Sequence, residues 1–352
     1  MIPSIEIGVY SFGDTQRDAD GNLTHTGTTI QNLFEAITLA DELGLDYFGI
    51  GEHHTETMPM SSPGTMIAAA AAATKQITLG SGASIISTDD PVRVFQQFAI
   101  ADAIAPGRVE ITAGRGSSTE TFPLFGYSLQ QYDELFADRL DLLLTLNNSE
   151  TEKVTWSGTT RPEIDNLAVV PRPVSGKLPI WLGTGGNPGS SMRAGQLGLP
   201  VSYGIIGGQP ARFAPLTQLY RQAGRQAGHS DEQLKVSVAT WGLIAETKDE
   251  ALEKMLPGWI NLNIEMGQLR GWQEPDTRAY YAQAGEHGAY FIGSPDEIAR
   301  RIVNLHEHLG HMRHFFQMDV GATPHEYVLD STRLLAEEVK PRVDHLLAQK
   351  YQ

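Results

Sequence analysis

Short apolar runs rich in β-branched residues and glycine recur along the chain. Each is followed by a polar turn and then by a stretch of helical period. The runs lie at 5–11 (IEIGVYS), 47–53 (YFGIGEH), 77–86 (ITLGSGASII), 109–116 (VEITAGRG), 179–186 (PIWLGTGG), 201–208 (VSYGIIGG), 235–246 (KVSVATWGLIAE) and 313–321 (RHFFQMDVG). Most are too uniformly apolar to leave one face in water, which is the pattern of strands covered by helices. In the first helical stretch Ile30, Leu33, Phe34, Ile37 and Leu43 share a face, and Gly44 supplies the stop. Five helices are predicted to open on a capping residue followed by proline: Ser62-Pro63, Asp90-Pro91, Asn187-Pro188, Ser294-Pro295 and Thr323-Pro324. Glu297 and Glu326 stand where a capping box would need them.

Eight strand–helix units predict an α/β chain folded as one (β/α)8 TIM barrel over 1–352, in preference to a doubly wound sheet. A bare barrel needs about 250 residues, so roughly a hundred are surplus. Two stretches fit the surplus: 148–178, polar and punctuated by proline and glycine after unit four, and 257–290, which interrupts unit seven. The alanine run at 68–73 is read as a close-packed helix face.

Composition narrows the function classes. A formal charge of −16 argues against nucleic-acid phosphates as partners. The absence of cysteine excludes disulfides, thiolate metal sites and a cysteine nucleophile. The N-terminus lacks the basic-then-apolar order of a signal peptide, and no run reaches the ~18 apolar residues of a membrane span. The expectation is a soluble cytoplasmic protein with no membrane partner.

In a barrel of this kind the chemistry sits where strands end. The second run ends in Glu52-His53-His54, the third carries GSGAS (80–84), the fourth ends in Gly114-Arg115-Gly116, and the fifth in GTGGNPGSS (183–191). Glycines let backbone approach a ligand, and Asn187 caps a helix whose free N–H groups suit an anion. Ser190 adds a hydroxyl and Arg115 a fork of donors, which together make a phosphate site. The plainer alternative is a capped helix and a surface arginine. Small residues around Gly82 and Ala83 leave room for a flat ring, or pack tightly against neighbours. Strand alternation pairs Glu52 with His54 and turns His53 to the other face. Neither HxH nor HExxH spacing occurs, so a histidine beside a cofactor, held by an acid, fits better than a zinc ligand; a structural histidine bonded to a loop is the alternative.

Taken together and in order, YFGIGEHH, ITLGSGASIISTDDPVRVFQQFAIADAIAPGRVEITAGRG, PIWLGTGGNPGSSMRAGQLGLP and YFIGSPDEIARRI resemble the bacterial-luciferase-like family of flavin-dependent monooxygenases over nearly the whole chain. The resemblance implies a barrel that holds FMN at the strand C-termini, often as a homodimer. It implies that reduced FMN and dioxygen oxygenate a small organic substrate. His53 falls where that family keeps a catalytic histidine, and Gly82-Ala83 at a cis peptide beneath the flavin. The implied cofactor-binding residues are Glu52, Gly82, Ala83, Arg115, Gly185, Gly186, Asn187 and Ser190. Phe12, His54, Phe122 and Phe125, with Tyr127, are candidates for a substrate pocket. No second nucleotide signature is present, so reduced FMN is expected from a separate, transient flavin reductase.

The 257–290 stretch falls where the family has a mobile lid. Trp259, Ile260, Leu262, Ile264, Met266, Leu269 and Trp272 suit a cover, and Gly258, Gly267 and Gly271 suit hinges. A packed excursion is the alternative. Two departures argue against light emission: Gly114 replaces a reactive cysteine, and 257–290 contains no lysine, only Arg270 and Arg278. A metal-dependent barrel hydrolase using His53, His54, His314 and Asp319, or a non-catalytic flavin-binding protein, are the rival classes.

Overall fold

A computed structural model describes residues 3–18, 20–116, 119–271 and 274–351 of the chain. Among the described residues eight parallel strands close a barrel. They are β1 (Glu6–Ser11), β2 (Tyr47–Ile50), β3 (Thr78–Ser81), β4 (Val109–Gly114), β5 (Ile180–Thr184), β6 (Val201–Ile205), β7 (Val236–Ile244) and β8 (Arg313–Gln317). Neighbours in the chain are neighbours in the barrel, and β8 returns to β1 through Glu6↔Arg313 to Tyr10↔Gln317. The predicted (β/α)8 architecture is therefore what the chain adopts, with helices between successive strands.

Several predicted strands run too long, and two of these matter to the site. The second strand stops at Ile50, so Glu52, His53 and His54 lie beyond it, free of strict alternation. The third is broken: the Gly82–Ala83 peptide is cis, and Ser84–Ile85 resumes pairing beside Ala113 and Gly114 of β4.

The capping prolines place the helices. Pro63, Pro91, Pro188 and Pro295 each begin one. Asp90 accepts from Val92 N at 2.8 Å, and Asn187 accepts from Ser190 N at 3.0 Å. Ser294 makes no side-chain cap bond, and Glu297 turns to Lys248 instead of closing a box. The fifth helix starts one residue late, at His325, with Pro324 as its cap.

The first surplus stretch contains an antiparallel hairpin, Lys153–Trp156 with Ile164–Ala168. The second is not a separate insertion from 257 onward. Lys248–Arg270 is one continuous helix that absorbs Pro257, and Thr277–Gln283 is a short helix after it. Phe291–Gly293 then pairs with the end of β7.

Trp259, Leu262 and Met266 are buried, while Ile264 faces out. Gly258 lies within this helix; a Cβ there would lie 2.3 Å from the Val320 carbonyl oxygen, so glycine lets the helix touch the loop after β8. Gly267 also lies within the helix, and Gly271 caps it at φ 69°. Trp272 lies outside the described residues, as does the side chain of Leu269.

The barrel foot is closed by an ion triad. Arg313, at the start of β8, lies 2.6 Å from both Glu6 and Glu110, with its guanidinium over the rings of Tyr47 (4.3 Å) and Trp181 (4.8 Å). Tyr10, Tyr47, Ala239 and Phe315 form a cluster apart from the main core. No described helix is long and apolar enough to cross a membrane.

Candidate functional site

Past the ends of the strands opens a cavity of about 530 Å³, within the ~300–1,000 Å³ typical of small-molecule sites. Arg115 marks one side. It follows β4 directly, its Nη2 donates to Ser190 Oγ at 3.1 Å, and its Nη1 to Asp133 Oδ1 at 2.9 Å. Its guanidinium lies 5.5 Å from the centre of the Tyr132 ring. Gly185 and Asn187 line the cavity beside it, at the N-terminus of Pro188–Gln196. Added Cβ atoms at Gly185 or at Gly204 of β6 would meet nothing within 4 Å, and both glycines line the cavity. Bare backbone, a fixed arginine and a capped helix start make a cradle that fits a flat ring carrying a phosphate.

Glu52 and His53 line the same cavity. Glu52 Oε2 accepts from Ile85 N at 2.8 Å, and its Oε1 lies 3.1 Å from His54 Nε2. It thus ties the end of β2 to the segment after the cis peptide. His53 lines the cavity; its backbone N–H donates to Met60 O at 2.9 Å, and its ring meets Phe12 edge-on at 4.7 Å. Its Nδ1 lies 3.2 Å from Glu120 Oε1.

Of the sequence candidates, Glu52, His53, Gly82, Ala83, Arg115, Gly185, Asn187 and Phe12 line this one cavity. Ser190 reaches it through Arg115. Gly186 turns at φ 106°, where an added Cβ would meet the Phe213 ring at 3.0 Å. Four substrate-pocket candidates do not line the cavity. His54 turns toward Glu52 and Phe125, ring centres 5.1 Å apart in the latter pair. Phe122 is fully buried and stacks on Tyr132, and Phe125 is 48 % exposed. Tyr127 packs under Arg139 instead.

Sequence reading missed Glu120, Asp14, Trp241 and Gln317. The last three form a chain: Trp241 Nε1 donates to Gln317 Oε1 (3.1 Å), and Gln317 Nε2 to Asp14 Oδ1 (3.3 Å). Asp14 Oδ2 also accepts from Gly321 N at 2.6 Å. Burial, reinforced by the nearby Asp319 carboxylate, pushes the Asp14 carboxyl well above the ordinary range. Asp319, which accepts from Ser11 Oγ, is raised by the same burial. A lone polar residue in the otherwise apolar run FFQM was the available signal for Gln317.

The residues of the metal alternative do not converge. His314 is buried in the core, 3.0 Å from Thr240 Oγ1 and stacked on Phe316 at 4.5 Å, while His53, His54 and Asp319 each serve other partners. Among the described residues no three histidine or acidic side chains are grouped to hold a metal.

A profile described as luciferase-like monooxygenase matches residues 11–312. The chain is 24 % identical over 332 residues to 4-hydroxyprotoasukamycin monooxygenase of Streptomyces nodosus subsp. asukaensis, covering 90 % of this chain and 87 % of that one. Among solved structures it is similar to monooxygenase RslO1 from Streptomyces bottropensis, with TM-score 0.84, 24 % identity, and coverage of 96 % and 99 %. It is also similar in fold to the oxygenating constituent of 3,6-diketocamphane monooxygenase from Pseudomonas putida, solved with FMN. There the TM-score is 0.75 at 19 % identity, with coverage of 97 % and 99 %.

Proposed function

Because the chain belongs to the luciferase-like monooxygenase family, we propose that its cavity holds FMN and that it oxygenates a small organic substrate with dioxygen. The observation that carries this reading is that Arg115, bonded to Ser190 beside a helix N-terminus, and His53 line one cavity of about 530 Å³. Reduced FMN, when bound, supplies the electrons for dioxygen activation.

The chain's own residues do the rest. Arg115, Ser190 and the Asn187-capped helix start bind the phosphate. Gly185 and Gly204 let backbone lie close to the ring system, and the Gly82–Ala83 segment lines the same space. A carboxylate accepts hydrogen bonds only, so Glu120 holds a proton on His53 Nδ1 and orients the ring in the cavity. Leu262 and Met266 of the long helix cover the cavity and exclude water.

A separate reductase supplies reduced FMN, in line with the one nucleotide-type cradle seen among the described residues. A homodimer is supported by Ile100 and Ile104, each 48 % exposed on Pro91–Ile104. We assign the protein to the cytoplasm.

The test gives the purified protein photochemically reduced FMN, labelled dioxygen and a lipophilic ketone or alkene. The expected product carries one labelled oxygen atom. No label in any product, with FMN bound, would leave a flavin-binding protein in place of a monooxygenase.

A further inference from the structure

We propose that this cavity selects an uncharged, largely apolar substrate and rejects anionic and ammonium compounds of similar length. The inference rests on the FMN reading above, because it assumes that the phosphate occupies Arg115. Away from that arginine the cavity is walled by Phe12, Met58, Trp241, Leu262, Met266 and Phe315. Arg115 is the single lysine or arginine among the described lining residues. Once it is paired with a phosphate, no cationic fork remains for a sulfonate or carboxylate.

The polar groups on the far wall are already bonded to one another. Trp241 donates to Gln317, and Gln317 to Asp14, whose other oxygen accepts from Gly321 N. The two oxygens of Glu52 are likewise taken, by Ile85 N and His54. An anion entering here meets two acidic side chains, Asp14 and Glu52, and no lysine or arginine besides Arg115. An ammonium group finds each carboxyl oxygen of Asp14 and Glu52 already hydrogen-bonded, to Gln317, Gly321 N, Ile85 N or His54. Either charge would give up its water for walls that are mostly apolar, which is costly, whereas an apolar chain gains from the same walls.

The experiment compares three ten-carbon probes on FMN-loaded protein: decan-2-one, decane-1-sulfonate and decylammonium, by calorimetry. Loading is checked first by flavin absorbance. Failure to load overturns the FMN reading and this proposal together, and it is seen before any probe is added. With FMN bound, decan-2-one is expected to bind at least about tenfold more tightly than either charged probe, a gap of about 1.4 kcal/mol. A charged probe binding as tightly as the ketone overturns the proposal and leaves the FMN reading standing. In a second arm, Leu262→Arg is expected to gain sulfonate binding at the expense of the ketone. A folded variant with the wild-type probe ranking would remove Leu262 from the substrate wall and count against the proposal. The wild-type comparison stands alone should that variant not fold.

Discussion

His53 Nδ1 lies 3.2 Å from Glu120 Oε1, so the imidazole that follows β2 is held by an acid from the segment after β4. The bond selects one tautomer and fixes the ring against Phe12. In the function proposed above, His53 is the residue that would meet the reacting species and Glu120 the one that would position it.

Glu120→Gln is expected to lower oxygenation turnover about tenfold and His53→Ala about a hundredfold or more, in the range of lost acid–base catalysis. Neither is expected to change FMN affinity, since the phosphate contacts are elsewhere. Partial recovery in Glu120→Asp, with an altered pH–rate profile in Glu120→Gln, separates positioning from a purely structural role. Equal turnover in all three variants would remove the dyad from the chemistry.

At the barrel foot, burial lowers the pKa of Arg313, but Glu110 and Glu6 more than offset it and hold the guanidinium charged. Glu110→Ala leaves that charge with a single carboxylate partner in a buried site. The expected loss is about 3 kcal/mol of unfolding free energy, toward the lower end for broken buried pairs because Glu6 remains. Urea titration reads it directly, and a change under about 0.5 kcal/mol would mean the triad is solvated.

Gly258 packs against the loop after β8, where an added Cβ would lie 2.3 Å from the Val320 carbonyl oxygen. Helix propensity alone favours alanine by about 1 kcal/mol. Contact of this closeness reverses the sign, and Gly258→Ala is expected to destabilise by about 1–3 kcal/mol. Gly204→Ala, facing open cavity, is the matched control and is expected to stay within about 0.5 kcal/mol of wild type.

Burial lowers the pKa of His314 to about 3, with the Arg301 charge adding to the effect, and His311 is lowered by burial and by its neighbour His314. Above the unfolded value near 6.5 both states are neutral and the fold keeps its full stability. As pH falls from about 6.5 toward about 3 the unfolded chain takes up protons that the buried rings refuse, and stability is lost. The raised Asp14 and Asp319 act in the opposite direction, since the fold favours their protonated forms. Comparing wild type with His314→Gln cancels that contribution. The variant is expected to lose less stability between pH 6.5 and pH 4, by about 1 kcal/mol per pH unit at most. Parallel acid limbs would place a titrating, solvated imidazole at 314.

The barrel was legible because its strands are apolar on both faces and its helices begin on capped prolines, as at Asp90-Pro91 and Asn187-Pro188. Arg115 and Asn187 were legible for a similar reason: glycines and a cap mark the strand ends locally. Glu120 was not, since its pairing with His53 spans 67 residues and depends on how two loops fold back. The long helix through Pro257 was hidden because proline reads as a boundary, while packing of Trp259, Leu262 and Met266 carries the helix through it. Phe122 and Phe125 misled because an aromatic after a strand anchors a loop as readily as it lines a pocket. Which of the two it does is decided by the short helix Thr121–Leu124.

The most direct measurement titrates the purified protein with FMN and with riboflavin, which lacks the phosphate, and repeats both with Arg115→Ala. The account predicts that FMN binds more tightly than riboflavin. It also predicts that the substitution weakens FMN by about 1.5–3 kcal/mol while leaving riboflavin nearly unchanged. Equal affinity for the two flavins in wild type, or no effect of the substitution on FMN, would contradict it.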